Sequence, residues 1–358
     1  MKKILFLMVF VTYLVPVYSA EISKPTGCFT STLTKRAVAN PALQGGLIRT
    51  TWAKIEPSPG TFDFSSIETS LRLLPKNKQW SLAIHGGWSS MDATQPVQSP
   101  RRNKEIMLPR KPDEHMSPPW LITKYGAKTF SARFRGYTVN IPKYWDSSVQ
   151  LRLASMLQAV AERYKSDKRL KLVYVPQMTS NGIEGHFNGV PVTDLLQAAG
   201  LSSEQEKQFE FLWAQASLSA IRATSSAFDN KAVAFEVHEL LGNANIPIRI
   251  MKEIQADPKL KNQVGIGMWW ISGKTEYQHD LVRAIEKFPG DLYGQVIGRS
   301  DQTNRFPNGN YGKVFEQAKK LGMRYLEVWN YEFEKNTCND LMEAFNRYTQ
   351  KTFASGKK

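Results

Sequence analysis

The sequence is poor in the residues that hold disulfide frameworks and metal centres. Its 358 residues include two cysteines and five histidines. These residues form no cluster with the spacing of metal ligands, so the sequence predicts neither a metal site nor a cofactor. Low-complexity tracts and internal repeats are absent as well, and the composition is that of an ordinary globular protein.

Long apolar runs are also scarce, since only residues 4–18 form one. Lys2 and Lys3 precede this run, and Ser19 and Ala20 follow it, which is the pattern of a secretory signal peptide over residues 1–20. We expect a secreted or periplasmic protein without stable membrane insertion, because the run is short for a bilayer span. An uncleaved N-terminal anchor is the alternative. No cysteine follows the run, which argues against a lipid anchor.

Acidic residues are few relative to basic ones. The chain has 32 Asp and Glu against 47 Lys and Arg, which gives a net charge of +15. Loss of Lys2 and Lys3 with the signal peptide would leave about +13. Such a surface attracts anions. Acidic or sulfated glycans fit an exported protein, whereas we expect no nucleic acid partner. A charge that serves solubility alone is the other interpretation.

Short segments rich in β-branched and aromatic residues alternate with longer amphipathic segments, which predicts βα units and a parallel sheet. Strands are predicted over residues 27–33, 46–52, 80–86, 170–177, 232–239, 263–271, 291–297 and 324–330. Helices are predicted over residues 65–74, 147–164, 203–227, 311–321 and 339–348. Because eight parallel strands close a barrel, we expect one α/β domain over residues 21–358 with the (β/α)8, or TIM-barrel, fold.

One predicted connection is far longer than the others. Residues 88–146 follow the third strand, contain seven prolines and show no strong periodicity. Between Gly87 and Asp146 the chain has ten Lys or Arg residues and four acidic ones. Active sites of barrels lie at the carboxyl ends of the strands, so we expect this long basic loop to form a lid over an anionic substrate. A solvated insertion unrelated to substrate is the alternative.

The two cysteines lie near the two ends of the predicted barrel sequence. Cys28 begins the first strand and Cys338 follows the last one. A disulfide is permitted in an exported protein, but we expect these positions at opposite ends of the barrel wall. Disulfide geometry is strict, so the sequence leaves their pairing open.

A recognisable pattern covers the second strand and the turn after it. Arg49 and Trp52 precede a turn with the sequence EPSPGTFDF over residues 56–64, and PPWL follows later over residues 118–121. This order of motifs resembles that of retaining (β/α)8 glycoside hydrolases of the clan A type, in particular the β-galactosidase-like group.

The resemblance implies catalysis by two carboxyl groups. One protonates the leaving oxygen, and the other attacks the anomeric carbon to form a glycosyl-enzyme. In the resembled group the acid/base residue follows the fourth strand, where Glu184 lies on a glycine-flanked turn. The group has an asparagine directly before this glutamate, whereas Gly182 and Ile183 separate Asn181 from Glu184 here. An exposed loop glutamate is the alternative interpretation.

The resembled group places the second carboxylate at the end of the seventh strand, yet residues 293–297 contain no acidic residue. We therefore predict Glu327, on the eighth strand, as the second catalytic residue. A structural ion pair between Glu327 and Arg49 is an equal alternative, because buried charges need partners. Further acids within reach are Asp301, Glu236 and Glu239.

Other residues near the strand ends are predicted to bind the saccharide. They combine polar side chains with indoles, which stack on the flat faces of sugars. The predicted binding residues are Arg49, His85, Trp88, Asn181, Glu236, Trp269, Trp329 and Asn330. Core packing is the alternative for His85 and for each tryptophan.

These patterns favour a glycoside hydrolase that cleaves O-glycosidic bonds in a poly- or oligosaccharide by the retaining mechanism. We expect the saccharide to be galactose-containing or anionic. A barrel that binds carbohydrate without turnover is the alternative. A nuclease is a weaker interpretation, because the sequence has no clustered Asp and His metal site.

Overall fold

A computed structural model describes residues 22–92, 115–134, 137–187 and 189–354. Its strands are β1 (Gly27–Thr30), β2 (Gly45–Thr51), β3 (Gln79–His85), β4 (Ser90–Asp92), β5 (Thr129–Phe134), β6 (Tyr137–Pro142), β7 (Leu170–Tyr174), β8 (Ala232–Glu236), β9 (Val264–Ile271), β10 (Leu292–Val296) and β11 (Tyr325–Val328). Eight of them, β1 to β3 and β7 to β11, are parallel and close into a barrel in chain order, with β11 pairing with β1. The predicted (β/α)8 fold is confirmed, and each predicted strand overlaps one barrel strand.

Helices follow most barrel strands. They are α1 (Lys35–Val38), α2 (Trp52–Ile55), α3 (Ser65–Leu73), α4 (Trp120–Thr123), α5 (Ser147–Tyr164), α6 (Val192–Ala199), α7 (Glu206–Ala227), α8 (Asn245–Ala256), α9 (His279–Glu286), α10 (Gly312–Lys320), α11 (Asn330–Lys335) and α12 (Asn339–Phe353). Two short 3-10 helices cover Thr303–Arg305 and Pro307–Gly309. Within the described ranges, none of the helices combines the length and apolar character of a bilayer span.

The predicted helices are found with small shifts in their bounds. Residues 147–164 form α5 as expected, and the Asp146 side chain caps it by accepting a hydrogen bond from the Ser148 N–H at 2.9 Å. The helix predicted over residues 203–227 begins at Glu206, after a turn in which the Ser202 N–H donates to Gln205 Oε1 at 2.8 Å. The separate helix α6 ends just before this turn, at Gly200, whose φ of 82° suits glycine.

The interior of the barrel is filled by side chains, as expected for a closed eight-stranded barrel of this size. Tyr174, Trp269, Tyr293 and Tyr325, from four different strands, belong to the inner cluster, and Ile183 joins them from the loop after β7. A larger apolar cluster includes residues of the outer helices, among them Val149, Leu153 and Leu157 of α5. The centre of the barrel is therefore a packed core, and functional groups must lie at its rim.

The long insertion after β3 contains regular structure that the sequence did not indicate. β4, β6 and β5 form an antiparallel sheet, in which Val139 and Ile141 are fully buried. The predicted basic lid stays a prediction, because much of it, including Arg101, Arg102, Lys104, Arg110, Lys111 and Arg135, lies outside the described residues. The predicted signal peptide over residues 1–20 lies outside them as well.

The expected separation of the two cysteines is wrong. Both are buried free thiols, and Cys28 Sγ lies 3.7 Å from the carbonyl oxygen of Met342, in the first turn of the helix that follows Cys338. The reason is that α12 folds back along β1, where the Asn346 side chain accepts a hydrogen bond from the Cys28 N–H at 2.8 Å. Burial raises the pKa of Cys28 well above its ordinary value, and Cys338 adds to this effect.

Candidate active site

The rim above β7 and β8 gathers acidic and imidazole side chains from two loops. β7 and β8 are adjacent and parallel, so their carboxyl ends meet at the same edge of the barrel. The loop after β7 contributes Glu184 and His186, while Glu236 ends β8 and His238 follows two residues later. Strand pairing thus brings together side chains that lie about fifty residues apart in the chain.

A compact turn holds Glu184 at this rim. The Asn181 side-chain oxygen accepts a hydrogen bond from the Glu184 N–H at 2.9 Å. The Gly182 carbonyl accepts one from the Gly86 N–H at 3.1 Å, which fixes the turn against the end of β3. Gly182 has a φ of +81°, and a Cβ there would lie 2.9 Å from the Gly86 carbonyl oxygen, so the turn requires glycine. The Glu184 side chain remains 26% exposed and contacts His186 Nε2 at 2.8 Å.

The Glu236 side chain contacts residues from both loops that form the rim. It is fully buried, and its Oε2 accepts a hydrogen bond from the Gly185 N–H at 2.7 Å. Its Oε1 accepts one from the Trp269 N–H at 3.3 Å and lies 2.8 Å from His238 Nδ1. A single carboxyl group therefore holds the Glu184 turn and the strand β9 by hydrogen bonds and lies against the His238 ring.

The carboxyl groups at the rim are in electrostatically different surroundings. Burial acts to raise the pKa of Glu184, but the hydrogen bond from His186 and the nearby imidazoles outweigh it and lower the pKa below its ordinary value. Burial and the charge of Glu184 raise the pKa of Glu236. Burial and the charge of Asp280 raise the pKa of Glu239. Glu184 is therefore the ionised member, while the other two retain a proton to higher pH.

A cavity of about 230 Å³ lies beside these groups. His186, His238, Glu239, Tyr277 and Gln278 are among the residues that line it. Burial raises the pKa of Tyr277, and the charges of Glu184, Glu239 and Glu236 raise it further, so the phenol lies near all three carboxyl groups. The cavity is thus lined by Glu239 and by His186, the partner of Glu184.

The predicted second carboxylate, Glu327, lies at a different place. It is fully buried and accepts hydrogen bonds from Arg49 at 2.8 Å, from Gln295 and from the Tyr325 hydroxyl at 3.3 Å. The Arg49 side chain is 32% exposed, and its guanidinium carbon lies 5.2 Å from the centroid of the Trp269 ring. The structure thus contains the Arg49–Glu327 ion pair that was the alternative to a catalytic role, and its solvent-accessible member is the arginine.

The remaining predicted binding residues take varied positions. His85 Nδ1 donates to the Asn181 carbonyl at 2.7 Å, so both residues fix the Glu184 turn. Trp88 and Trp269 are only 1% and 4% exposed, as the core-packing alternative expects. The half-buried Trp329 and Asn330 donate hydrogen bonds within the protein, to the Val296 carbonyl at 2.8 Å and to Glu334 Oε1 at 2.9 Å. Their binding of saccharide stays a prediction.

The two motifs behind the family resemblance pack against each other. Glu56 is fully buried, and its side chain accepts hydrogen bonds from the Trp52 indole and the Gly60 N–H, both at 2.9 Å, and pairs with Arg152. The Trp120 indole donates to the Glu56 backbone carbonyl at 2.9 Å and packs edge-on against Trp52. We call these four side chains, Trp52, Glu56, Trp120 and Arg152, the motif clasp. It supports the fold.

Sequence spacing did not reveal that three possible metal ligands meet at the rim. One ligand atom each from Glu184, His186 and His238 lies within 4.8 Å of the other two. The expectation of no such cluster is corrected here, because the third ligand comes from the neighbouring loop. Glu239 was also underrated, although a run of Glu, His and Glu at residues 236, 238 and 239 after an apolar strand marks a polar strand end.

A scan against protein-family models and a search of curated proteins gave no match. Among solved structures, the chain is similar to the catalytic domain of β-amylase from Paenibacillus polymyxa, with a TM-score of 0.57 and 11% identity over 93% of this chain and 99% of that one. It also aligns with endo-glycoceramidase II from Rhodococcus sp. (TM-score 0.48, 12% identity, 87% and 75% of the two chains). A psychrophilic glycoside hydrolase family 10 endo-β-1,4-xylanase gives a TM-score of 0.46 at 12% identity over 86% of both chains. The first likeness establishes the barrel fold alone.

Proposed function

We propose that the protein is a glycoside hydrolase that cleaves O-glycosidic bonds at the rim above β7 and β8. The observation that carries this proposal is a pair of partly exposed carboxyl groups at one rim. Glu239 lines the cavity, Glu184 contacts the cavity-lining His186 at 2.8 Å, and their surroundings shift their pKa values in opposite directions. Acid/base cleavage of a glycoside needs such a pair, one group that holds a proton and one that does not. The barrel shared with the β-amylase domain fits this class but serves many others.

We assign the proton donor to Glu239, which lines the cavity and has a raised pKa. Glu184, ionised and held by His186, attacks the anomeric carbon as the leaving oxygen takes the proton from Glu239. Water then hydrolyses the glycosyl-enzyme, and Glu239 accepts the proton of that water. This assignment reverses the role expected for Glu184 from the family resemblance, because the His186 contact favours its charged form.

Glu327 is the competing candidate for the second carboxylate. Its ion pair with Arg49 would orient an attacking carboxylate, but a fully buried side chain offers a substrate no surface to reach. The two assignments differ in a measurable way. Glu239→Gln abolishes cleavage under the first assignment and leaves it largely intact under the second.

The cavity and the exposed arginine favour a particular kind of substrate. A cavity of about 230 Å³ is smaller than the pockets of roughly 300–1,000 Å³ that enclose drug-sized ligands, so it suits one sugar unit of a chain that continues along the rim. Arg49, above the Trp269 ring, and the net charge of +15 favour an acidic or sulfated saccharide, such as a sulfated galactan. An exported protein would meet such polymers outside the cell.

The test is release of reducing ends from a panel of neutral and sulfated galactans. Removing a group that transfers a proton or attacks costs at least about 10²-fold in rate, so we expect Glu184→Gln and Glu239→Gln each to lose activity by that factor or more. Glu253→Gln, on an exposed position of α8, serves as the matched control. Full activity in both rim variants would exclude this site from catalysis.

A carbohydrate-binding barrel without turnover is the second candidate. It is favoured by the complete burial of Glu236 and Glu327, which leaves Glu184 and Glu239 to carry all the chemistry. Saturable binding of a galactan oligosaccharide by calorimetry, with no reducing ends released after prolonged incubation, would support this candidate and contradict the hydrolase.

A further inference from the structure

The imidazole groups at the rim have no role in the proposed hydrolysis beyond holding Glu184, yet two of them approach the same carboxylate. Ligand atoms of Glu184, His186 and His238 lie within 4.8 Å of one another, and no metal was expected from the sequence. We propose that these three side chains form a binding site for a divalent transition-metal ion of the zinc type. Two imidazoles and one carboxylate form a donor set that zinc and its neighbours in the first transition row prefer.

The distances allow a metal to enter with small movements. A four-coordinate ion with bonds of about 2.0–2.1 Å holds neighbouring ligand atoms about 3.4 Å apart. Glu184 Oε2 and His186 Nε2 are now 2.8 Å apart, as a hydrogen-bonded pair. The ion would replace that hydrogen bond and separate the two atoms by roughly half an ångström. The longest separation in the triad, at most 4.8 Å, would close by no more than about 1.4 Å.

Glu236 places a carboxylate beside one of the two histidine ligands. A histidine ligand commonly places its second ring nitrogen against a carboxylate, which fixes the ring and raises its basicity. Glu236 Oε1 lies 2.8 Å from His238 Nδ1, without the alignment of a hydrogen bond. The other Glu236 oxygen accepts the Gly185 N–H at 2.7 Å, between the two remaining ligands. One buried carboxylate therefore holds the backbone between two of the ligands and lies beside the ring of the third.

The site also has room for a fourth ligand. His186 and His238 both line the cavity of about 230 Å³, so a bound ion would face this space. A site with three protein ligands and one open position accepts water or an oxygen of another molecule. A sugar hydroxyl is such an oxygen. Metal binding itself does not rest on the proposed hydrolysis, although both use Glu184.

The experiment measures binding to the full chain without saccharide. Protein stripped with EDTA is titrated with Zn²⁺ by calorimetry, and with Co²⁺ by visible absorption, in which four-coordinate Co²⁺ gives intense d–d bands. We expect one ion per chain. His186→Gln should lower the affinity by at least about 100-fold, because changes to supporting residues alone typically cost 10- to 100-fold. Glu236→Gln should fall within that 10- to 100-fold range.

His279→Gln is the matched control, since this histidine is exposed at the start of α9. It should leave the affinity unchanged. Absence of saturable one-to-one binding by the wild type would overturn the proposal, as would equal losses in His186→Gln and His279→Gln. The partly exposed His186 is tested rather than the buried His238 so that the variant folds, which far-ultraviolet circular dichroism verifies. Hydrolysis is measured separately, so a chain that binds zinc but cleaves nothing contradicts only the proposed function.

Discussion

A substitution in the motif clasp should change the stability of the protein without changing its catalytic rate. In the variant Glu56→Gln, the side chain keeps its shape but loses its charge. Glu56 is fully buried and Arg152 is 20% exposed, so the substitution leaves a largely buried guanidinium without its partner. We expect the free energy of unfolding to fall while the catalytic rate of the folded protein stays the same.

The magnitude follows from the contacts that are lost. Breaking a buried ion pair from one side costs about 3–5 kcal/mol, and the partial exposure of Arg152 places this pair at the lower end. The amide oxygen of glutamine can still accept from either the Trp52 indole or the Gly60 N–H, and the donor left unpaired costs about 1 kcal/mol more. The expected loss is therefore about 4 kcal/mol.

Equilibrium unfolding in urea, followed by tryptophan fluorescence, measures this loss. Glu253→Gln, an exposed substitution, should change the value by no more than about 0.5 kcal/mol. Combining Glu56→Gln with Arg152→Met should cost less than the sum of the two single changes, because the single variants each leave a partner unpaired. A loss below about 1 kcal/mol for Glu56→Gln, or a loss of catalysis without a loss of stability, would refute this reasoning.

Two further predictions concern titratable groups elsewhere. Burial acts to raise the pKa of Asp291, but Arg324 and Lys24 outweigh it and lower the pKa. Its contribution to stability is therefore present above the unfolded-state pKa of about 3.9 and lost as the pH falls below it. In Asp291→Asn the urea midpoint of unfolding should be lower at pH 7 and should depend less steeply on pH below about 4. A midpoint that falls below pH 4 as steeply as in the wild type would contradict this. Burial raises the pKa of Cys28 and raises that of Cys338 to about 12, so both thiols should resist Ellman's reagent in the native protein and react in urea. Fast reaction of either thiol in the native protein, or the absence of free thiols after unfolding, would contradict this prediction.

The barrel could be predicted from the sequence because its strands are buried on both faces and read as short apolar runs. β9, for example, is buried at every position. Several predicted strand ends ran too far for the same reason. Val175 after β7 and Val237 after β8 are apolar and buried, but they already belong to the loops that form the rim.

The small sheet in the insertion was missed for a different reason. In β6 the buried Val139 and Ile141 alternate with the half-buried Thr138 and Asn140, which is the period-2 pattern of a half-buried strand. The prolines around it made the whole segment look irregular. Its one proline, Pro142, ends β6, a position that tolerates proline.

The candidate site was only half predictable. Glu184 was identified by its place after the fourth barrel strand, but its partners depend on which loops meet in space. Gly185 and Glu236 are joined by a hydrogen bond across the β7–β8 edge, and no local spacing encodes that contact. Glu327 was favoured because a charged residue inside a barrel strand needs either a functional position or a partner of opposite charge. The structure provides the partner, Arg49.

The pairing of β1 with β11 has a consequence for synthesis of the chain. The two strands are about 300 residues apart in sequence, and contacts that distant form late because the intervening chain must be ordered first. A polypeptide that stops before Tyr325 leaves β1 and β10 each with an unpaired edge, and such edges recruit other chains. C-terminal truncation should therefore give aggregates rather than a smaller barrel, because closure of the barrel requires β11.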